Sequence, residues 1–86
     1  MYIQNPNIDT QEVEGEFLVL DRKKDKIHQL NQTASAIWLM CDGNTSKQDM
    51  MRRYGEMFEI SSEQAQNDVN DLIAQFIELG IIVEKC

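Results

Sequence analysis

A chain of 86 residues, 42% of them hydrophobic, has room for one small core and no second domain. Fifteen acidic residues against eight basic ones give a formal net charge of -7, which repels nucleic-acid backbones and anionic lipid head groups and counts against both as partners. No apolar run approaches the roughly 18 residues of a membrane span, and no charged stretch leads into an apolar one as in a secretory signal, so a cytosolic protein is expected.

Residues 1–7 contain the only proline, Pro6, and read as a flexible N-terminal arm, with residues 8–86 forming a single domain. An arm of this kind would permit strand exchange between two chains, and so a homodimer. Ile8 to Val13 has the composition of a weak strand. Glu14-Gly15-Glu16 supplies a turn, because glycine tolerates positive φ. Phe17-Leu18-Val19-Leu20 is an unbroken apolar run of strand length, the pattern of a central strand covered on both faces. A charged turn follows at Asp21 to Asp25, and Lys26 to Leu30 forms a third short strand. The basic residues Arg22, Lys23, Lys24 and Lys26 cluster here, either as a solvated turn or as a docking patch for an acidic segment.

Beyond Leu30 the chain reads as helical. Asn31 is a good N-cap, and Ala34, Ile37, Trp38 and Cys41 follow on one helix face. Asp42-Gly43 ends that helix. Thr45 and Gln48 have the spacing of a capping box for a second helix with Met50, Met51, Tyr54, Met57 and Phe58 on its apolar side. Ser61 and Gln64 repeat the box before a longer third helix carrying Ala65, Val69, Leu72, Ile73, Phe76 and Ile77. Gly80 caps it, and Ile81-Ile82-Val83 forms a short strand or an apolar tail. A three-stranded antiparallel sheet followed by three helices makes a small α+β domain, and the last two helices give it a winged helix-turn-helix-like arrangement.

Little in the chain points to catalysis. His28 is the only histidine and has no partner in the sequence pattern for acid–base work. Cys41 and Cys86 lack a metal-ligand spacing, Cys41 lies on an apolar helix stripe, and no phosphate-binding, nucleophile-elbow or zinc-binding motif occurs. No metal or cofactor is expected. A winged helix-turn-helix invites DNA binding through its third helix. That helix, however, carries Glu63, Asp68, Asp71 and Glu78 and no lysine or arginine, so electrostatics opposes DNA. Peptide binding remains: a strand at a sheet edge offers unpaired N–H and C=O groups to an extended segment, unless the Ile81 segment pairs there first.

Leu30-Asn31-x-Thr33-Ala34, Ile37-Trp38, Asp42-Gly43 with Thr45, Asp68-Val69 and Leu79-Gly80-Ile81, in this order, resemble the PqqD-like family. Glu12 to Phe17 is similar to that family's first hairpin. The family comprises precursor-peptide recognition proteins of ribosomally made, modified peptides, with pyrroloquinoline quinone biosynthesis among its pathways. The resemblance implies a non-catalytic winged-helix-like domain. Such a domain binds the leader segment of a precursor peptide and presents it to a modifying enzyme, often a radical SAM protein. The leader adds as a strand beside the third strand and lies against the third helix. Carried to this chain, the strand edge is Lys26, Ile27, His28, Gln29 and Leu30, and the helix stripe is Asp68, Leu72, Gln75 and Leu79. The motif fixes Leu30 and Asp68, while the other stripe positions follow from helical spacing. His28 stands where the family often has an aromatic or aliphatic residue. The rival readings are a winged-helix DNA-binding protein and a structural subunit of a maturase complex.

Overall fold

The chain runs β1 (Tyr2–Gln4), β2 (Ile8–Val13), β3 (Glu16–Asp21), β4 (Lys26–Leu30), α1 (Gln32–Met40), α2 (Lys47–Phe58), α3 (Ser62–Leu79) and β5 (Ile82–Glu84) in a computed structural model that describes residues 1–85. Cys86 lies outside the described residues. β2, β3 and β4 form an antiparallel sheet with β3 in the centre, so the sheet-then-helices order expected from the sequence is the one observed. The β2–β3 turn is made by Glu14 and Gly15 alone, both at left-handed φ (54° and 83°), the backbone that matches the twist of a two-residue hairpin.

The first seven residues are not an arm. Tyr2–Gln4 pair antiparallel with Ile82–Glu84, giving a separate two-stranded sheet that ties both ends of the chain together. The other side of β1 is also occupied: the Gly43 N–H donates to the Tyr2 carbonyl (2.8 Å) and the Gln4 N–H to the Cys41 carbonyl (3.1 Å). The Asn5 N–H donates to the Ile81 carbonyl (2.9 Å), and its side-chain amide donates to the Gly80 carbonyl (2.9 Å). Three residues are too few to show strand periodicity, and the nearby proline gives the segment the look of a linker. The Ile81 segment is accordingly a strand rather than a tail.

Each helix starts on a side chain that accepts a backbone N–H: Asn31 for Ala34, Ser46 for Asp49 and Ser61 for Gln64. The second cap is Ser46, not Thr45. Thr45 is buried, and its hydroxyl donates to the Asp42 carboxylate, whose oxygen also accepts the Asn44 N–H (2.8 Å). That backbone hydrogen bond, more than the Thr45 contacts, holds the Asp42 carboxyl below its ordinary range. α1 stops at Met40, before Asp42-Gly43, and Cys41 is its cap. Burial, reinforced by the Asp42 charge, pushes the Cys41 thiol up to about 12. α2 closes on Glu59 in the left-handed region (φ 52°), and α3 closes on Gly80 (φ 75°).

The core lies between the inner face of the sheet and the helices. Val19, Ile37, Trp38, Met50, Val69, Phe76 and Ile81 are sealed within it, with Trp38 and Phe76 edge to face at 5.9 Å. Two expected core positions lie outside it: Met57 and Ile77 sit on helix flanks, 58% and 49% exposed. β3 is central, but only one of its faces is covered by helices; Leu18 and Leu20, on the other, are half-buried.

Because β1 is bonded on both sides, deleting residues 1–4 should destabilise the fold by at least ~1 kcal/mol and lower Tm by at least about 5 °C. Thermal melts followed through Trp38 fluorescence check this. An unchanged Tm would return the segment to the status of an arm.

Candidate peptide-binding edge

β4 is bonded on one side only. Its register with β3 sets Leu30 opposite Phe17, Gln29 opposite Leu18, His28 opposite Val19, Ile27 opposite Leu20 and Lys26 opposite Asp21. Among the described residues no strand pairs with its other side. Strand alternation puts Leu30, His28 and Lys26 on the inner face. Leu30 is buried and His28 half-buried, while Lys26 at the strand start is exposed. Ile27 (67% exposed) and Gln29 lie on the outer face.

Both ends of β4 are held in place. At its C-terminal end, the buried Ser35 on α1 accepts the Phe17 N–H (3.0 Å) and donates to the Leu30 carbonyl (3.1 Å), bridging two residues that face each other across β3 and β4. At its N-terminal end, the Asp21 carboxylate accepts the Lys24 N–H (3.1 Å), and Lys24 Nζ donates to the Leu79 carbonyl (3.3 Å) at the C-terminus of α3. A cation is favourable at that end of a helix.

α3 runs beside this strand in the opposite direction. Its Leu79 end meets the turn before β4 through Lys24. Asp68 lies at the other end, where it accepts the Tyr54 hydroxyl (3.1 Å) and the Gln64 side-chain amide (2.7 Å). Thr33, three residues past Leu30, lowers the Tyr54 phenol against the larger raising effects of burial and Asp68. Five strand residues span about 13 Å and Asp68 to Leu79 about 16 Å, so edge and helix match in length. Ile77 shares a cleft with Asn7, Asp21, Lys23, Lys24 and Ile82, beside the β3–β4 turn and β5. Asp68, Leu72, Gln75 and Leu79 lie roughly half a turn round the helix from Ile77. Leu72 is half-buried against the core, Gln75 is exposed and Leu79 is 36% exposed.

The sequence model described as coenzyme PQQ synthesis protein D (PqqD) matches residues 16–82, from β3 through the first residue of β5. The chain belongs to the PqqD family. Two solved structures share the fold over nearly its whole length. One is a lasso peptide synthetase B1 complexed with the leader peptide (TM-score 0.86, 22% identity, 96% of this chain and 98% of that one). The other is TbiB1 in complex with the TbiA(beta) leader peptide (TM-score 0.88, 10% identity, 98% of each chain). No curated protein sequence matches the chain.

Within this PqqD-family fold, three contacts that shape the edge were not legible as such: Ser35, Tyr54 and Lys24. Ser35 is a lone hydroxyl inside an otherwise apolar helix stripe, and a buried serine needs partners. That anomaly was the available signal. Tyr54 stands at a core position, but its hydroxyl partner Asp68 is 14 residues away. Lys24 is one cation among four in its cluster. Among the described residues no group of three or more His, Cys, Asp or Glu side chains is placed to hold a metal ion.

Burial first, then the Asp68 carboxylate, raises the Tyr54 phenol above its ordinary value of 10.0. The folded state therefore keeps a proton that the unfolded chain gives up above about pH 10, and this contribution to stability is complete below that pH and lost above it. Tyr54→Phe should flatten the alkaline fall in stability. At neutral pH a cycle with Asp68→Ala should return a coupling of about 1 kcal/mol. Urea denaturation at pH 7 and pH 10.5 measures both; parallel pH slopes and zero coupling would contradict the assignment.

Proposed function

We propose that this protein binds the leader segment of a ribosomally made precursor peptide as an added strand along the free edge of β4, and presents it to a modifying enzyme. The observation that carries this reading is the one-sided pairing of β4 beside α3 in a PqqD-family chain. Both solved structures of the same fold are described as leader-peptide complexes, which supports it. The protein would act by binding and positioning alone, and the modifying enzyme would be of the radical SAM type.

The contacting residues in this reading are Lys26, Ile27, His28, Gln29 and Leu30 on the strand, with Asp68, Leu72, Gln75 and Leu79 on the helix. A docked strand of about five residues gains three to five backbone hydrogen bonds, each worth about 0.5–1.5 kcal/mol net. Association costs at least ~4 kcal/mol. Backbone pairing therefore roughly breaks even, and affinity rests on leader side chains seated against Leu72 and Leu79. Leu79, 36% exposed, offers more apolar area for a docked side chain to cover than the half-buried Leu72. The cluster from Arg22 to Lys26 steers acidic leader residues toward the strand start. Arg22 is engaged by Asp9 across the β2–β3 pair, which leaves Lys23 and Lys26 for this task.

Among the described residues β2 also has an unpaired side, and it is longer than β4. From Asp9 to Val13 its residues are exposed on both faces, so a peptide added there would gain backbone bonds and little apolar burial. The DNA reading is disfavoured on the same physical grounds as before: α3 carries no lysine or arginine to meet phosphates.

Proline removes a backbone donor, so a scan through Lys26, Ile27, His28 and Gln29 should weaken leader binding at alternate positions, those whose N–H points away from β3. A loss of about three- to tenfold per blocked bond is expected by isothermal titration with the leader of the precursor encoded in the same gene cluster. Proline at outward-facing positions of β2 should leave binding unchanged. The reading fails if the β2 substitutions abolish binding and the β4 substitutions, in folded variants, do not.

A further inference from the structure

His28 is out of place on the inner face of β4. It stands opposite the fully buried Val19 and next to the buried Leu30 on that face, yet it is an imidazole. Its Nε2 is sealed from solvent with no hydrogen-bond partner among the described residues, while the residue as a whole is only half-buried. One ring nitrogen thus already lacks a partner, and the residue stays partly open to solvent beside the unpaired edge. A strand laid along β4 closes off that solvent access. Covering a polar group without replacing its hydrogen bond costs about 5- to 150-fold in an equilibrium constant. A leader side chain carrying both a donor and an acceptor avoids that loss, whichever of the two the reachable ring nitrogen presents. An apolar side chain cannot avoid it.

We propose that His28 is a specificity-determining residue of the edge, selecting leaders whose side chain facing the ring is a hydroxyl or carboxamide (Ser, Thr, Asn or Gln) rather than an aliphatic one. This rests on strand addition at β4. It assigns the edge a polar reading position among contacts that otherwise select for apolar side chains.

The test uses the full chain and a synthetic copy of the leader from the same gene cluster, with each residue of its docking segment replaced in turn by Leu and by Ser. Binding is measured by titration to the wild type, His28→Phe and His28→Asn. One leader position should show the wild type preferring Ser over Leu by about tenfold, His28→Phe reversing or abolishing that preference, and His28→Asn restoring it. Trp38 fluorescence melts establish that each variant is folded, and His28→Phe should be at least as stable as the wild type because an unpaired buried nitrogen is gone. A leader that binds the wild type but shows no position where preference depends on residue 28 overturns the role of His28 and leaves strand addition standing. A leader that does not bind the wild type at all overturns both.

Discussion

The free side of β4 depends on where the last strand goes. A short C-terminal strand beside a three-stranded sheet has an obvious resting place, the vacant edge, and β5 does not take it. β1 captures β5 instead, and is itself fixed on its far side by the loop after α1 through Cys41 and Gly43. Within this second, smaller sheet β1 is bonded on both sides and β5 on one. The outward-facing donors and acceptors along Lys26–Leu30 are left without a strand partner among the described residues. Everything proposed for function follows from that diversion, because a β4 already paired within the monomer would have nothing to offer an extended peptide.

An open edge is also a hazard, and the local chemistry limits it. β4 has only five residues, its first carries an exposed lysine, and the turn before it is dense in charge. These features discourage edge-to-edge pairing of two copies. The strand is nonetheless anchored at both ends. Ser35 fastens the Leu30 end to α1 and β3, and Lys24 fastens the turn to the last carbonyl of α3. Tyr54 and Asp68 join α2 to α3 at the opposite end of the same helix. These contacts tie the elements around the edge together, which lowers the ordering cost a docking peptide has to meet.

Much of this was readable from the residues. The apolar run at Phe17–Leu20 gave the central strand, and Asn31, Ser61 and Gly80 marked helix ends where the side-chain and glycine rules place them. Gly43 and Thr45 misled by a few residues because both serve the loop rather than a helix: Gly43 bends back to β1, and Thr45 turns inward to Asp42. β1 was missed because three residues carry no period, and its pairing lies some 80 positions away in the chain. The edge residues themselves were named through a family resemblance. The pattern alone indicated that Lys26–Leu30 was a strand, and its vacancy became visible only once the partner of Ile82–Glu84 was known. Met57 and Ile77 show the limit of helical periodicity: a stripe identifies the buried side, and the width of that side is set by what packs on it.

Amide hydrogen exchange along β4, with and without the leader of the precursor encoded in the same gene cluster, tests the central claim most directly. In the free protein, alternate amides between Lys26 and Leu30 should exchange at rates close to those of exposed loops, while their neighbours bonded to β3 are protected. Saturating leader should slow the fast set by at least about tenfold and leave the β2 edge unchanged. Fast amides on β4 that stay fast in the bound state, with protection appearing elsewhere, would contradict the account.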